Sequence, residues 1–324
     1  MMQITHLDDS RIQFNWQGAS RYTANTLRRL IISELPVFAF TRIDILEKSA
    51  SLPYDELLQT QVELVPLYTD FITNFLACEA FPYGNECAAC TERNKQEQAN
   101  GIKLTPRGCP KCSFEFEIQV CCPEEQTEGR WVTSEDVRQC LSSPPFTIRP
   151  VNRPVCHIAH LEPGDVFHIR AYATKGRGKD HARFIPTTVV VPQDRFRVRI
   201  KRDLNKILTN EQKLAFYNCC PKKVFDIENT IATDTDTPTA RVFVRNSDAC
   251  DYCQHCISFF DTEVERCNQE VIQIIPEPEG PNKTIHFIIE GTGQHRPENL
   301  VRLAFETYKI RLRQIQQTLW RALY

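Results

Sequence analysis

Residues 22–68, YTANTLRRLIISELPVFAFTRIDILEKSASLPYDELLQTQVELVPLY, constrain the fold more than any other stretch of this chain. Leu27, Leu30 and Ile31 recur at the i, i+3, i+4 spacing of one apolar stripe, which predicts an amphipathic helix from Ala24 to Glu34. Thr23 and Asn25 supply cap chemistry at its start. Pro36 stops it at Leu35, because the residue before a proline is pushed out of the helical region. The following VFAFTRIDIL is rich in β-branched and aromatic residues. It alternates Phe38, Phe40, Arg42 and Asp44 against Val37, Ala39, Ile43 and Ile45, which is the period of a strand. Asp55 to Leu64 then reads as a second, short helix. The unit expected here is a helix laid on the strand that follows it.

With 324 residues, 41% of them hydrophobic, the chain can hold one large core or a few small ones. Its 39 basic and 41 acidic residues give a net charge of −2, which argues against a wide surface that grips nucleic acid and predicts an indirect relation to DNA. The opening MMQITHLDDSRIQF lacks the apolar core of a secretory signal, and no apolar run reaches the roughly eighteen residues of a membrane span. A soluble, intracellular chain is expected. In a reducing compartment, fifteen cysteines that include C-x-x-C pairs argue for metal rather than disulfides.

The cysteines fall into two groups. Cys87-x2-Cys90 and Cys109-x2-Cys112 flank eighteen residues that include the polar run TERNKQEQANGIK, within a loop from Cys78 to Cys112 of little hydrophobic periodicity. Each pair is short enough to place both sulfurs on one tetrahedral ion, so a structural Zn2+ is expected to supply folding free energy that the loop lacks. Cys78, Cys121 and Cys122 are the alternatives for one ligand, and free thiols are the competing reading of all four. The second group is Cys219, Cys220-Pro221, Cys250-x2-Cys253-x2-Cys256 and Cys267. Three cysteines at this spacing plus a distant Cys-Pro suit one iron–sulfur cluster, 4Fe-4S or 3Fe-4S, on Cys220, Cys250, Cys253 and Cys256, with Cys219 the rival to Cys220. Phe260 stands where a two-cluster ferredoxin carries its fourth loop cysteine, so no second cluster is expected. A second zinc site using Cys267 or His255, or a domain that binds nothing, are the alternatives. The segment around this group holds too little apolar sequence to be expected to fold without its metal.

SFEFEIQV, FTIRPV and DVFHIRAYA alternate as strands, with Pro163-Gly164 as a turn between the last pair. ATKGRGKDHARFIPTTVVV lacks the spacing of a phosphate loop and reads as a basic glycine turn between strands. His181 within it has no accompanying nucleophile or carboxylate pair, which argues against a catalytic base. RFRVRIKRDLNKIL is a basic alternating run that turns helical, facing solvent or an acidic partner. The C-terminal segment KTIHFIIEGTGQHRPENLVRLAFETYKIRLRQIQQTLWRALY predicts a strand, a glycine turn and a long helix. Pro297 sits in the helix's first turn, and Leu300, Ala304, Tyr308, Leu312, Ile315 and Leu319 line one stripe.

Four strings together resemble one family. They are A-N-T-L-R-R-x-x-x-S-E-x-P from Ala24, D-E-x-L-x-x-x-x-x-L-x-P-L at Asp55 to Leu67, K-G-x-G-K-x-H-A-R-x-x-P from Lys175, and F-x-I-E-x-x-G-x-x-x-P-E-x-L-V from Phe287. They resemble the α-type subunit of cellular RNA polymerases: bacterial α, its archaeal counterpart and the third-largest subunit of eukaryotic RNA polymerase II. CCPKKVFDI with NSDACDYCQHC resembles the ferredoxin-like insert found in part of that family, while the insertion between Cys90 and Cys109 departs from its zinc loop. The resemblance implies an α+β fold in three parts. These are a discontinuous dimerisation domain (1–46 with 187–213 and 276–324), an inserted β-rich domain (47–186, zinc loop about 78–112) and a ferredoxin-like iron–sulfur insert (214–275).

It further implies that Leu27, Leu30 and Ile31 lie in an interface with a smaller α-type subunit, and that Arg28 and Arg29 face a large catalytic subunit. Lys175, Gly176, Gly178, Lys179, His181, Ala182 and Pro186 are implied as an assembly surface. The implied partners are the smaller α-type subunit, the second-largest polymerase subunit and small zinc-binding subunits, with DNA met only indirectly and no membrane. The implied role is a non-catalytic assembly platform for DNA-templated transcription, located in the nucleus, or in the cytoplasm of an archaeon or virus-infected cell. An iron–sulfur electron-transfer protein lacks its G-x-G-x-x-G partner site here, and a stand-alone zinc-ribbon nucleic-acid binder lacks the basic charge.

Overall fold

The computed structural model describes residues 1–69, 87, 92, 95–96, 112–140, 148–151, 154–201, 204–231, 238–263, 271–278, 280 and 283–323. Two strands, β1 (Met2–Leu7) and β2 (Arg11–Gln17), precede helix α1 (Arg21–Ser33), strand β3 (Pro36–Lys48) and helix α2 (Asp55–Glu63). Strands β4 (Ser113–Cys121), β5 (Arg130–Thr133), β6 (Arg138–Gln139), β7 (His157–Leu161), β8 (Val166–Arg177), β9 (Thr187–Asp194) and β10 (Phe196–Ile200) follow. Then come α3 (Leu204–Ile207), α4 (Asn210–Cys219), β11 (Phe225–Ile231), β12 (Pro238–Val244), α5 (His255–Glu263), β13 (Ile272–Pro276), β14 (Thr284–Gly291) and the long α6 (Pro297–Leu323). The fold is mixed α+β. Among the described residues, two four-stranded sheets have the orders β1-β2-β14-β9 and β3-β8-β4-β6, and three two-stranded sheets pair β10 with β13, β11 with β12 and β5 with β7. The chain divides into two compact units, one of Met1–Thr5, Gln13–Ala24 and Val191–Ile288, the other of His6–Ile12, Asn25–Val190 and Ile289–Tyr324. Among the described residues no helix is long and apolar enough to cross a membrane.

In the second unit the organising element is β3. Its alternation is not the uninterrupted one expected from sequence, because the register against β8 shifts between Phe40 and Arg42. The bulge resets the phase, so that Phe38, Phe40 and Ile43 share one buried cluster, while Val37 and Ala39 meet Phe184 on the opposite side. Next in the sheet, β8 places Ala173 opposite both Phe40 and Phe114, and Ala171 opposite both Ile43 and Phe116. These small residues leave room above β8 for the aromatic rings of the flanking strands. Phe38 meets Phe114 edge-on at 5.0 Å, and Phe40 meets Phe116 at 5.1 Å, each contact worth about 0.5–1.5 kcal/mol beyond area burial.

The first unit carries its own core. Phe216 of α4 lies within 4.7–5.6 Å, centroid to centroid, of Phe225, Phe259 and Phe260. Val198, Leu204, Leu208, Val242 and Ile272 belong to the same buried cluster, as do Cys220, Cys250 and Cys256. The expectation that this segment has too little apolar sequence to hold itself is therefore corrected. Its aromatic and aliphatic side chains sit in short elements of weak periodicity and converge only in three dimensions.

The Pro163-Gly164 turn forms, with Gly164 at φ +89 and the Asp165 N–H donating to Glu162 O. It links β7 and β8, which lie in different sheets, rather than pairing two strands with each other. Of FTIRPV only 148–151 are described, and these make one isolated bridge, Leu67 to Pro150, not a strand. Asp165 locks the turn: its carboxylate accepts from the Ser51 hydroxyl at 2.6 Å and from the Glu162 N–H at 2.9 Å. These bonds, the Ser51 one foremost, hold its pKa below the usual carboxylate value. A depressed folded-state pKa gives stability that is present above the unfolded value of about 3.9 and lost as pH falls through the folded one. Urea denaturation of Asp165→Asn against wild type should therefore show a stability difference that is largest near neutral pH and shrinks as the pH falls through the acid range.

Candidate assembly surface and cysteine clusters

Helix α1 starts earlier than its sequence suggests. Ser20 is the cap, its hydroxyl accepting from the Thr23 N–H at 3.2 Å and its carbonyl from the Ala24 N–H at 3.0 Å. Leu27, Leu30 and Ile31 are 2%, 6% and 0% exposed within the single chain. The i, i+3, i+4 stripe is thus packed within the single chain, and little of its surface is left open for the expected subunit interface. The sequence could not separate the two, because a stripe packed on its own domain and one packed on a partner have the same periodicity. Exposed on α1 are Arg21, Tyr22, Thr23, Asn25 and Arg29, while Arg28 is half-buried and donates to the Asn25 side chain at 3.0 Å.

The string at the end of β8 lies against the C-terminal end of α1. The Lys179 N–H donates to Ser33 O at 3.0 Å, and a Cβ built on Gly178 would stand 2.1 Å from Ile32 O, so only glycine lets the backbones approach this closely. A Cβ on Gly176 would stand 2.5 Å from the Phe184 ring. Lys175 is 4% exposed and Gly176 is buried, so these two belong to the chain's interior rather than to the expected assembly surface. Lys179, His181 and Ala182 are exposed, and Pro186 is buried. The His181 ring accepts from the Arg183 N–H at the start of a single 3-10 turn, Ala182–Phe184. Arg183 in turn reaches Phe40 O and Glu63, each at 2.9 Å.

The largest exposed apolar feature among the described helices is one that the sequence stripe only half revealed. On α6, Leu300, Leu303 and Ala304 are buried, whereas Leu312, Ile315 and Leu319 are 48%, 56% and 55% exposed, with Trp320 and Leu323 also open. The stripe thus changes role along the helix, core first and uncovered later.

Of the four expected zinc ligands, Cys87 and Cys112 are buried in contact with one another, and Cys90 and Cys109 lie outside the described residues. The second group is brought together more fully. Cys220, Cys250, Cys253 and Cys256 line one recess with Val198, Lys222, Asp251 and Gln254. Tyr252 and Gln254, on either side of Cys253, both adopt left-handed backbone at φ 63, which winds the loop tightly around that side. The Val224 N–H points at Cys220 Sγ from 3.5 Å, and the Tyr252 N–H donates to the Cys250 thiol. Burial, then the neighbouring sulfurs, pushes the Cys256 thiol up to about 12 and the Cys219 thiol up to about 11. Cys219 therefore sits within electrostatic range of the recess without lining it. Among the described residues no group of three or more His, Cys, Asp or Glu side chains is close enough round one point to hold a metal ion as it stands. Phe260 is fully buried in the aromatic cluster, and Cys267 lies outside the described residues.

Sequence comparison identifies the class that this arrangement belongs to. The model of the RNA polymerase Rpb3/Rpb11 dimerisation domain matches residues 13–312, and the chain belongs to that family of RNA polymerase subunits. It is similar to the DNA-directed RNA polymerase II subunit rpb3 of Dictyostelium discoideum, 27% identical over 97% of this chain and 93% of that protein. The DNA-directed RNA polymerases II, IV and V subunit 3 of Arabidopsis thaliana is 26% identical over 96% of this chain and 88% of its own length. The archaeal subunit Rpo3 of Methanosphaera stadtmanae is 26% identical over 79% and 78%.

Because Leu30 is interior to the chain, Leu30→Asp should destabilise the unpaired protein itself by about 3–5 kcal/mol through an uncompensated buried charge. Thermal or urea denaturation of the lone chain measures this, and an unchanged midpoint would return Leu30 to a partner interface.

Proposed function

We propose that this chain is a non-catalytic assembly subunit of an RNA polymerase II-like, DNA-directed enzyme, and that it pairs with a smaller α-type subunit to nucleate the core. The observation that carries the reading is the uncovered apolar stripe of α6 in a chain of a dimerisation-domain family. Three aliphatic side chains about half open to water, on one face of a helix, are best explained by a second helix laid along them. The second-largest subunit and small zinc-binding subunits would then dock on the pair. For this the chain offers the exposed Arg29 of α1, Lys179 beside the end of that helix, and His181. With a net charge of −2, contact with DNA would be left to those partners. The relatives named for RNA polymerase II support a nuclear setting.

Two metal centres belong to the same reading. Cys87 and Cys112, buried together, offer two thiolates of the donor chemistry of a structural Zn2+, for which the sequence spacing supplies Cys90 and Cys109 as the other two candidates. Cys220, Cys250, Cys253 and Cys256 line one recess under N–H groups aimed at two of the sulfurs, a donor set that fits one iron–sulfur cluster. Both groups would serve structure, and the aromatic cluster beside the second is the chain's own contribution.

Recovery of an affinity-tagged chain from its own cells tests the assembly role. The large catalytic subunits and a smaller α-type subunit should accompany it in fixed ratio, and a lone monomer would overturn the proposal. For the second centre, anaerobically purified protein should be brown, with about four irons and four sulfides per chain. Cys253→Ser should bleach it, while a colourless protein carrying extra zinc would replace the cluster with a second zinc site.

A further inference from the structure

The end of α1 gathers charge in a way that neither its helical pattern nor its core explains. Glu34 follows the last turn of α1, its N–H donating to Leu30 O, so a carboxylate stands at the negative end of the helix dipole. It is 12% exposed, and three cations from two other segments converge on its Oε2: Arg311 of α6 at 2.6 Å, Lys179 at 3.4 Å and Arg177 at 4.0 Å. Arg177 and Lys179 belong to the segment whose backbone already lies on the end of α1, so they hold the carboxylate in place. Arg311 brings in α6.

Its position along α6 gives the contact its meaning. The helix is fixed near its start by buried Leu300, Leu303 and Ala304. Arg311 is partly buried, and every residue from Leu312 to Arg321, together with Leu323, is exposed. Glu34–Arg311 is therefore a polar tie at the point where the exposed stretch of the helix begins. Beyond it twelve residues, 312–323, project with the uncovered Leu312, Ile315 and Leu319. At 1.5 Å per residue this arm is about 18 Å long, and a tilt of about 10° at its base would carry the tip about 3 Å, enough to unseat a close-packed interface.

We propose that Glu34 and Arg311 are a positioning pair that aims the projecting half of α6 at the partner helix. The pair sets the affinity of pairing while contributing little to the stability of the chain alone. The inference rests on the pairing put forward under Proposed function.

The test measures the dissociation constant of the full-length chain for the smaller α-type subunit of the same polymerase, alongside the thermal midpoint of the unpaired chain. Arg311→Met keeps the apolar stem and removes the charge. It should weaken pairing about tenfold, the loss of one charge-assisted hydrogen bond. Its midpoint should stay within about 4 °C of wild type, because a pair with one partner two-fifths exposed adds little to folding. Arg311→Lys should restore most of the affinity, which a purely steric role for the stem would not predict. Wild-type affinity in Arg311→Met overturns the positioning role and leaves the pairing intact. An affinity loss that tracks a collapse of the midpoint, with no rescue by lysine, overturns it as well. Failure of the wild-type chain itself to pair overturns both this inference and the function on which it rests.

Discussion

The antiparallel ladder between β3 and β8 is the constraint on which the second unit depends. It runs from Pro36 opposite Arg177 to Lys48 opposite Phe167, and so joins residues more than a hundred positions apart. Such closure costs chain entropy before any contact compensates for it. The compensation comes from the aromatic layer that Ala171 and Ala173 leave room for, and from β4, which adds to the free edge of β8. Once the ladder is closed, the chain leaving β8 must cross the end of α1, where Gly178 permits contact with Ile32 O. The string from Lys175 to Pro186 is therefore bound to the helix that precedes β3, and its two glycines and His181 have local structural work besides any contact with other subunits.

Much of this was legible in the residues. The helix–strand succession, the strands SFEFEIQV and DVFHIRAYA, the Pro163-Gly164 turn and the long C-terminal helix follow from periodicity and turn chemistry alone. Two things were not legible, each for a physical reason. A bulge is a property of a strand pair rather than of one strand, so the switch from Phe38 and Phe40 to Ile43 cannot be seen along β3 by itself. An apolar helical stripe also does not say what covers it. Leu27, Leu30 and Ile31 are covered by their own chain, whereas the stripe of α6 is covered at Leu300 and Ala304 and open at Leu312 and Ile315. Sequence spacing alone would have treated the two helices alike.

The cysteines show the same division between pattern and surroundings. Spacing identified Cys220, Cys250, Cys253 and Cys256 as a group, and they do share one recess. What spacing missed is the set of Phe216, Phe225, Phe259 and Phe260 beneath them, scattered over α4, β11 and α5. Phe260, four residues after Cys256, is a fully buried ring that packs on Phe216 and Phe259. A metal bound here would therefore complete a domain that already has a core, rather than create one.

We propose that the projecting half of α6 is the surface on which a partner subunit docks. Hydrogen–deuterium exchange of residues 312–323 in the chain alone and in the assembled enzyme tests it most directly. Exchange should be fast in the lone chain and strongly slowed in the complex, with protection centred on Leu312, Ile315 and Leu319. Equally fast exchange in both states, in an enzyme that nevertheless contains the chain, would contradict it.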